Sequence, residues 1–172
     1  HLRDEDAMRA LVGYVLGRLY GEDGDDPVRL LHLVVKRTAR LAARYMAAGF
    51  VHGVLNTDNI NVTGESFDYG PWRFAHTWDP AFTAAYFDQF GLYAFGRQPE
   101  AIHWNAMQLA VSLRTISDAE PLIEALERFP ARYTAAAARA VLSLSISRVW
   151  RSCADSFETG GRGAGAAGRG AC

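Results

Sequence analysis

Three oxygen-bearing side chains, Asp58, Asn59 and Asp68, lie close together in the stretch His52 to Gly70, which reads HGVLNTDNINVTGESFDYG. Carboxylates and an amide brought to one point are the donor set a hard divalent cation takes, and a nucleotide's phosphate oxygens would complete its shell. The short apolar runs Phe50-Val51 and Ile60–Val62 flank the polar residues, and a third segment ends at Phe67-Asp68. With Gly64 as the turn, the pattern predicts a small β-hairpin that presents the three side chains at neighbouring strand ends.

Taken singly, these residues have plainer roles. Asp58-Asn59 suits a simple turn, and Asp68 before Tyr-Gly-Pro suits a strand terminus. His52 is expected to be structural, hydrogen-bonding the loop backbone, while Asn56 and Thr57 shape the loop. Arg73 and His76, just beyond Asp68, are expected to be solvated.

The elements around this stretch read as helices. Met8, Leu11, Val12, Val15, Leu16 and Leu19 recur at helical spacing, predicting an amphipathic helix over Asp6 to Tyr20. After the acidic, glycine-rich break Gly21–Asp26, Asp26-Pro27 makes a helix start, with a capping carboxylate before a proline. That long helix turns Leu31, Val34, Val35, Thr38, Leu41, Ala42 and Tyr45 inward and leaves Arg29, Lys36, Arg37, Arg40 and Arg44 as a solvated face. Gly49 ends it. Trp78, Phe82, Tyr86, Phe87, Phe90, Tyr93 and Phe95 are too many to be solvated, so most are expected in the core. A helix resumes at Pro99 and carries Asn105 as a satisfied buried amide. Ser117 to Glu120 reads as a capping box for a short helix, Leu122–Phe129, and Ala131–Leu144 reads as another. The fold class is thus mainly α with a small β-hairpin. Residues 1–145 are expected to form the folded unit and 146–172 a Gly/Ala/Arg tail that cannot bury a core.

Composition narrows the function classes. The chain has 172 residues, 49% hydrophobic and 22% charged, enough for one domain with a real core. A formal net charge of −1 predicts no nucleic-acid or anionic-membrane partner, and no apolar run is long enough to span a bilayer. The start, His1-Leu2-Arg3-Asp4, has neither an initiator Met nor signal-peptide order, so the chain is expected to begin in mid-protein. Two cysteines, Cys153 and Cys172, argue against a disulfide framework and fit a cytoplasmic location.

A His-Gly start, an Asn seven residues after the His, and an Asp-aromatic-Gly beyond it follow the order of a protein-kinase-like catalytic loop. In that order Asn59 and the Asp68 of Asp68-Tyr69-Gly70 stand at the metal positions. Val54 stands where a small-molecule phosphotransferase has its base, and valine accepts no proton. Asp58 is the nearby carboxylate left to replace it.

The run GFVHGVLNTDNI followed by FDYGPW resembles the selenoprotein O family, the kinase-like protein adenylyltransferases. The resemblance continues through Trp78-Asp79-Pro80, Gly91-Leu92-Tyr93, Arg97-Gln98-Pro99 and His103-Trp104-Asn105, roughly Met8 to Ala140. It implies the large C-terminal lobe of a kinase-like fold, with the N-terminal lobe absent. It also implies transfer of AMP from ATP to Ser, Thr or Tyr hydroxyls of proteins, with Mg2+ or Mn2+. Asn59 and Asp68 would bind metal and nucleotide, and Asp58 would be the general base. Because the family's phosphate-gripping basic residues lie mostly in the N-terminal part, this stretch alone is expected to be nearly inactive. The competing readings are a kinase-like small-molecule phosphotransferase and a non-catalytic, pseudokinase-like module.

Overall fold

The computed structural model describes residues 4–160, with side chains described through residue 144. Of the tail expected over 146–172, residues 146–160 belong to a helix, and residues 161–172 lie outside the described residues. Among those described, the protein is mostly helical: α1 (Glu5–Val15), α2 (Pro27–Ala48), α3 (Gln98–Leu113), α4 (Ala119–Glu127) and α5 (Phe129–Gly160). Two short strands, β1 (Phe50–Val51) and β2 (Arg73–Phe74), pair antiparallel, with Phe50 opposite Phe74. No helix is long and apolar enough to cross a membrane among the described residues.

α2 is the spine. Asp26 caps it, its carboxylate accepting from the N–H groups of Val28 (2.9 Å) and Arg29 (3.2 Å), with Pro27 in the first turn. Such a cap is worth about 1 kcal/mol. Leu31, Val34, Val35, Thr38, Ala42 and Tyr45 are buried as their spacing predicts, and the five basic residues lie on the outside. Fully burying each of Leu31, Val34 and Val35 contributes about 1.5–3 kcal/mol. α3, α4 and α5 all pack on α2, and the core runs from Val12 and Leu16 through α2 to Ile102, Leu113, Leu122 and Phe129. α1 gives way at Leu16 to a wider turn through Tyr20, and Leu11 and Leu19 are exposed.

Three sequence expectations change. The expected hairpin shrinks to a single bridge, Ile60 with Ser66, while β1 finds its partner further along the chain at β2. The tip of that bridge is pressed against α2, where a Cβ on Gly64 (φ +75°) would come within 2.5 Å of the Arg37 Cβ. Ladder formation is therefore cut short by helix contact.

The aromatic segment is the second correction. Phe95 is buried and Phe82 and Tyr93 are partly so, but Trp78, Tyr86, Phe87 and Phe90 are exposed, Phe90 at 94%. Residues 75–94 form successive turns with no helix or strand, and the inward positions go to the small Ala84, Ala85 and Ala94. Close packing leaves room there for methyl groups only, so the rings turn outward. The third correction concerns the capping box, which does not form. α4 runs from Ala119 to Glu127 where Leu122–Phe129 was expected, Asp118 takes the cap position in place of Ser117, and the Ser117 hydroxyl donates to the Asp118 carbonyl instead (3.3 Å).

Two buried side chains latch β1 to the rest. Gln98, fully buried at the start of α3, donates from Nε2 to the Phe50 carbonyl (2.8 Å) and accepts at Oε1 from the His52 N–H (3.0 Å). It supplies to one edge of β1 what a neighbouring strand would. His52, also fully buried, donates from Nε2 to the Phe67 carbonyl (2.8 Å) and accepts the Val54 N–H at Nδ1 (3.4 Å). That arrangement is satisfied only by neutral imidazole, and it bears out the structural role expected of His52. Burial pushes its pKa down, partly offset by the Phe67 carbonyl and the Asp68 carboxylate.

Replacing Gln98 by Ala leaves the part-buried Phe50 carbonyl and the buried His52 N–H without the Gln98 partner, which costs about 1–3 kcal/mol per group. Urea unfolding of Gln98→Ala is expected to show a loss of about 3 kcal/mol. A loss within 0.5 kcal/mol, roughly that of a surface substitution, would contradict the latch. His52, and likewise His32 and His103, have pKa values pushed down by burial. Their neutral forms therefore stabilise the fold above the unfolded value of about 6.5, and that contribution is lost as pH falls below it. The melting temperature is expected to drop between pH 7 and pH 5, with the His52 imidazole still neutral by nitrogen NMR at pH 6. A protonated His52 at pH 6 would refute the assignment.

Candidate active site

The chain leaves β1 at Val51, passes His52 and Gly53, and forms one tight helical turn at Thr57–Asn59. The Asn59 N–H donates to the Asn56 carbonyl (3.0 Å), closing that turn. With about 120° between successive residues of such a turn, neighbouring side chains diverge. Asp58 is exposed and Asn59 is buried. The two residues thus face different surroundings, although they are adjacent in sequence.

Asn59 is held by its own amide. Nδ2 donates to the Val54 carbonyl (3.0 Å), which turns Oδ1 away from that contact, and Oδ1 accepts no hydrogen bond among the described residues. Its backbone carbonyl accepts the Phe67 N–H (3.2 Å). Beyond it the Asn61 N–H meets the Glu65 carbonyl (2.8 Å), and the Gly64 N–H meets the Asn61 carbonyl (2.9 Å). The chain therefore reverses tightly between Asn59 and Phe67 and returns Asp68 beside the turn that carries Asn59.

Phe67 is held on both sides, its N–H by Asn59 and its carbonyl by His52. Directly after it, Asp68 has φ +56°, the one non-glycine residue with positive φ among those described. The left-handed conformation is costly for a residue with a Cβ, though less so for Asp, and residues held this way cluster at functional sites. Asp68 is exposed, and its charge acts on His52.

A hydroxyl chain underpins the return strand. Tyr45 of α2 hydrogen-bonds the Ser66 hydroxyl, which in turn donates to the Tyr69 oxygen (3.1 Å). The Tyr69 hydroxyl donates to the Ser66 carbonyl (2.5 Å). Burial pushes the Tyr45 pKa up to about 12, so it stays protonated and acts as a strut. The rings of Tyr45, Tyr69, Trp72 and Phe74 all lie within 6.0 Å of the Phe50 ring centre, so the segment after Asp68 folds back over β1.

Asp58 opens onto a cleft of about 640 Å³, whose walls include Leu55, Leu92, Tyr93, Arg97, Glu100 and Trp104. Tyr93 is tied to the Asn56 side chain, and both Asp88 and Asp58 raise its pKa, after burial. Arg73 and His76 are exposed, as expected. Among the described residues no group of three or more His, Cys, Asp or Glu is placed to hold a metal ion.

Sequence reasoning missed the Gln98 latch and the Tyr45–Ser66–Tyr69 chain. Gln98 offered one signal, a polar residue directly before the proline of an apolar helix start. The serine and tyrosines offered none, because hydroxyl partners brought together from separate elements leave no local pattern. Asn105 is half as expected: Nδ2 donates to the Leu55 carbonyl (2.8 Å), while its buried Oδ1 has no partner among the described residues.

The SelO family, described as protein adenylyltransferase SelO, matches residues 1–151. The chain is 49% identical over 115 residues to a protein nucleotidyltransferase YdiU of Synechocystis, covering 66% of this chain and 24% of the relative. It is 44% identical over 142 residues to the protein of that name from Gloeobacter violaceus, covering 78% and 29%. To that of Jannaschia it is 40% identical over 139 residues, again covering 78% and 29%. The chain thus spans less than a third of the length of the curated relatives it matches. The match reaches past the quoted motifs at both ends and takes in the whole of the Asn59–Asp68 turn and the elements that hold it. The chain belongs to the SelO family of protein adenylyltransferases.

Proposed function

We propose that this chain is the metal- and base-bearing part of a protein adenylyltransferase, corresponding to the large lobe of a kinase-like fold. In this reading AMP passes from ATP to a Ser, Thr or Tyr hydroxyl of a protein. The observation that carries it is the pairing of Asn59 and Asp68 through the doubly held Phe67, with Asp58 separately exposed at a cleft.

The donor set fits a hard cation. Asn59 Oδ1 is free of hydrogen bonds among the described residues, and the Asp68 carboxylate is exposed and in no ion pair there. Two protein oxygens are what Mg2+ takes when water and substrate phosphates supply the remaining ligands. Such an ion, Mg2+ or Mn2+, would neutralise charge developing on the phosphate oxygens. Asp58 takes the proton as the acceptor oxygen bonds to the α-phosphorus. The bond from that phosphorus to the bridging oxygen breaks, and pyrophosphate leaves. Val54, at the position where a phosphotransferase base would stand, lines the loop as an aliphatic group and disfavours the small-molecule kinase reading.

Asp58→Asn keeps the shape and removes the base. In a polypeptide extended to the length of the relatives, it is expected to lower transfer of label from α-labelled ATP to a protein acceptor by about 10²–10⁴-fold. Asp68→Ala is expected to abolish transfer. If neither substitution changed the rate, or if γ-label transferred in place of α-label, the adenylyltransferase reading would fail. The chain of residues 1–172 by itself is expected to transfer little label, and robust transfer by it would contradict that part of the proposal.

A further inference from the structure

α5 lies along α2, and between them runs a groove of about 890 Å³. Its lining contains Lys36, Arg40 and Arg44 from α2, and Arg132 and Arg139 from α5. Almost all the rest is alanine, for example Ala47, Ala136 and Ala140, and no acidic or aromatic side chain lines it among the described residues. α2 has no acidic residue between Pro27 and Ala48, and α5 has none between Phe129 and Leu144. The chain's net charge of −1 therefore hides a strong segregation, with seven acids packed into residues 4–26.

A solvated helix face is usually laced with acid–base pairs three or four residues apart, and like charges at that spacing destabilise the helix. Lys36, Arg40 and Arg44 repeat at that spacing, and no described acidic side chain pairs with them. None of the five groove cations is in an ion pair among the described residues, whereas Arg29 pairs with Glu22 and Arg128 with Glu124. The His32 pKa is pushed down by burial first and then by Arg128 and Arg132.

We infer that this groove is a docking site for an acidic amphipathic helix of a partner protein, independent of the adenylyltransferase reading. Each helix contributes one row of cations, and the α2 row, from residue 36 to 44, is about 12 Å long at 1.5 Å per residue. A ligand helix with acids on its flanks and aliphatic residues along its spine matches both rows and the methyl-lined floor. The guanidinium groups suit carboxylates, which they engage with two parallel hydrogen bonds. A nucleic acid would bring phosphates, but among the described residues the lining has no ring on which a base could stack.

The test is fluorescence anisotropy of a labelled 15-residue helical peptide with a leucine spine and glutamate flanks, titrated with the 172-residue chain. Its lysine-flanked counterpart and an oligouridylate 15-mer serve as comparisons. The glutamate peptide is expected to bind, with affinity falling as salt rises. Arg40→Glu together with Arg139→Glu should weaken it at least tenfold, while Arg73→Glu, on β2 and outside the groove lining, should leave it unchanged. Circular dichroism checks the fold, and Arg44→Gln with Arg132→Gln provides a milder second pair. Tighter binding of the oligouridylate, equal binding of the lysine peptide, or indifference to both groove variants would overturn the inference.

Discussion

Phe67 contributes no side-chain chemistry, yet its two backbone groups tie together the two segments of the candidate site. The N–H is taken by the Asn59 carbonyl at 3.2 Å and the carbonyl by His52 Nε2 at 2.8 Å. Both partners belong to the loop that carries Asp58, so the return strand is tied to that loop on either side of one peptide unit. Asp68 comes next and has little freedom left; its positive φ is the conformation that those two bonds and the Tyr69 anchor impose. The left-handed backbone costs energy, which the surrounding bonds offset.

The rest of the fold can be read outward from that unit. His52 serves as a strut only while neutral, and full burial together with Val54 at Nδ1 keeps it so. Its own backbone is fixed by Gln98, which hangs from the start of α3, and α3 is fixed by packing on α2. α2 also supplies Tyr45 under Ser66 and the Arg37 surface under Gly64. One long helix thus positions both halves of the turn, and the aromatic stack on Phe50 closes over it.

The helices were legible in the sequence because apolar spacing, the Asp26-Pro27 start and the Gly49 stop are local signals. The order of Asn59 and Asp68 was legible for a related reason: a loop that must return to itself keeps its spacing. What could not be read depends on contacts between distant segments. Phe50 pairs with Phe74 and not with Ile60–Val62, a choice made by Gly64 meeting α2. Trp78, Tyr86 and Phe90 look like core by composition, but turn geometry gives the inner positions to alanines. Net charge likewise says nothing about placement, and only the packing of α5 on α2 brings their cations to one groove.

The central claim is that the doubly held Phe67 brings Asn59 and Asp68 together as one cation site. Paramagnetic broadening of backbone amide signals during a Mn2+ titration tests it directly, because broadening at low occupancy falls off steeply with distance from the ion. The account expects the signals of Asn59, Phe67, Asp68 and Tyr69 to broaden first and together, and Asn59→Ala to abolish that pattern. Broadening centred on the acidic segment Glu22–Asp26, with Asn59 and Asp68 unaffected, would contradict it.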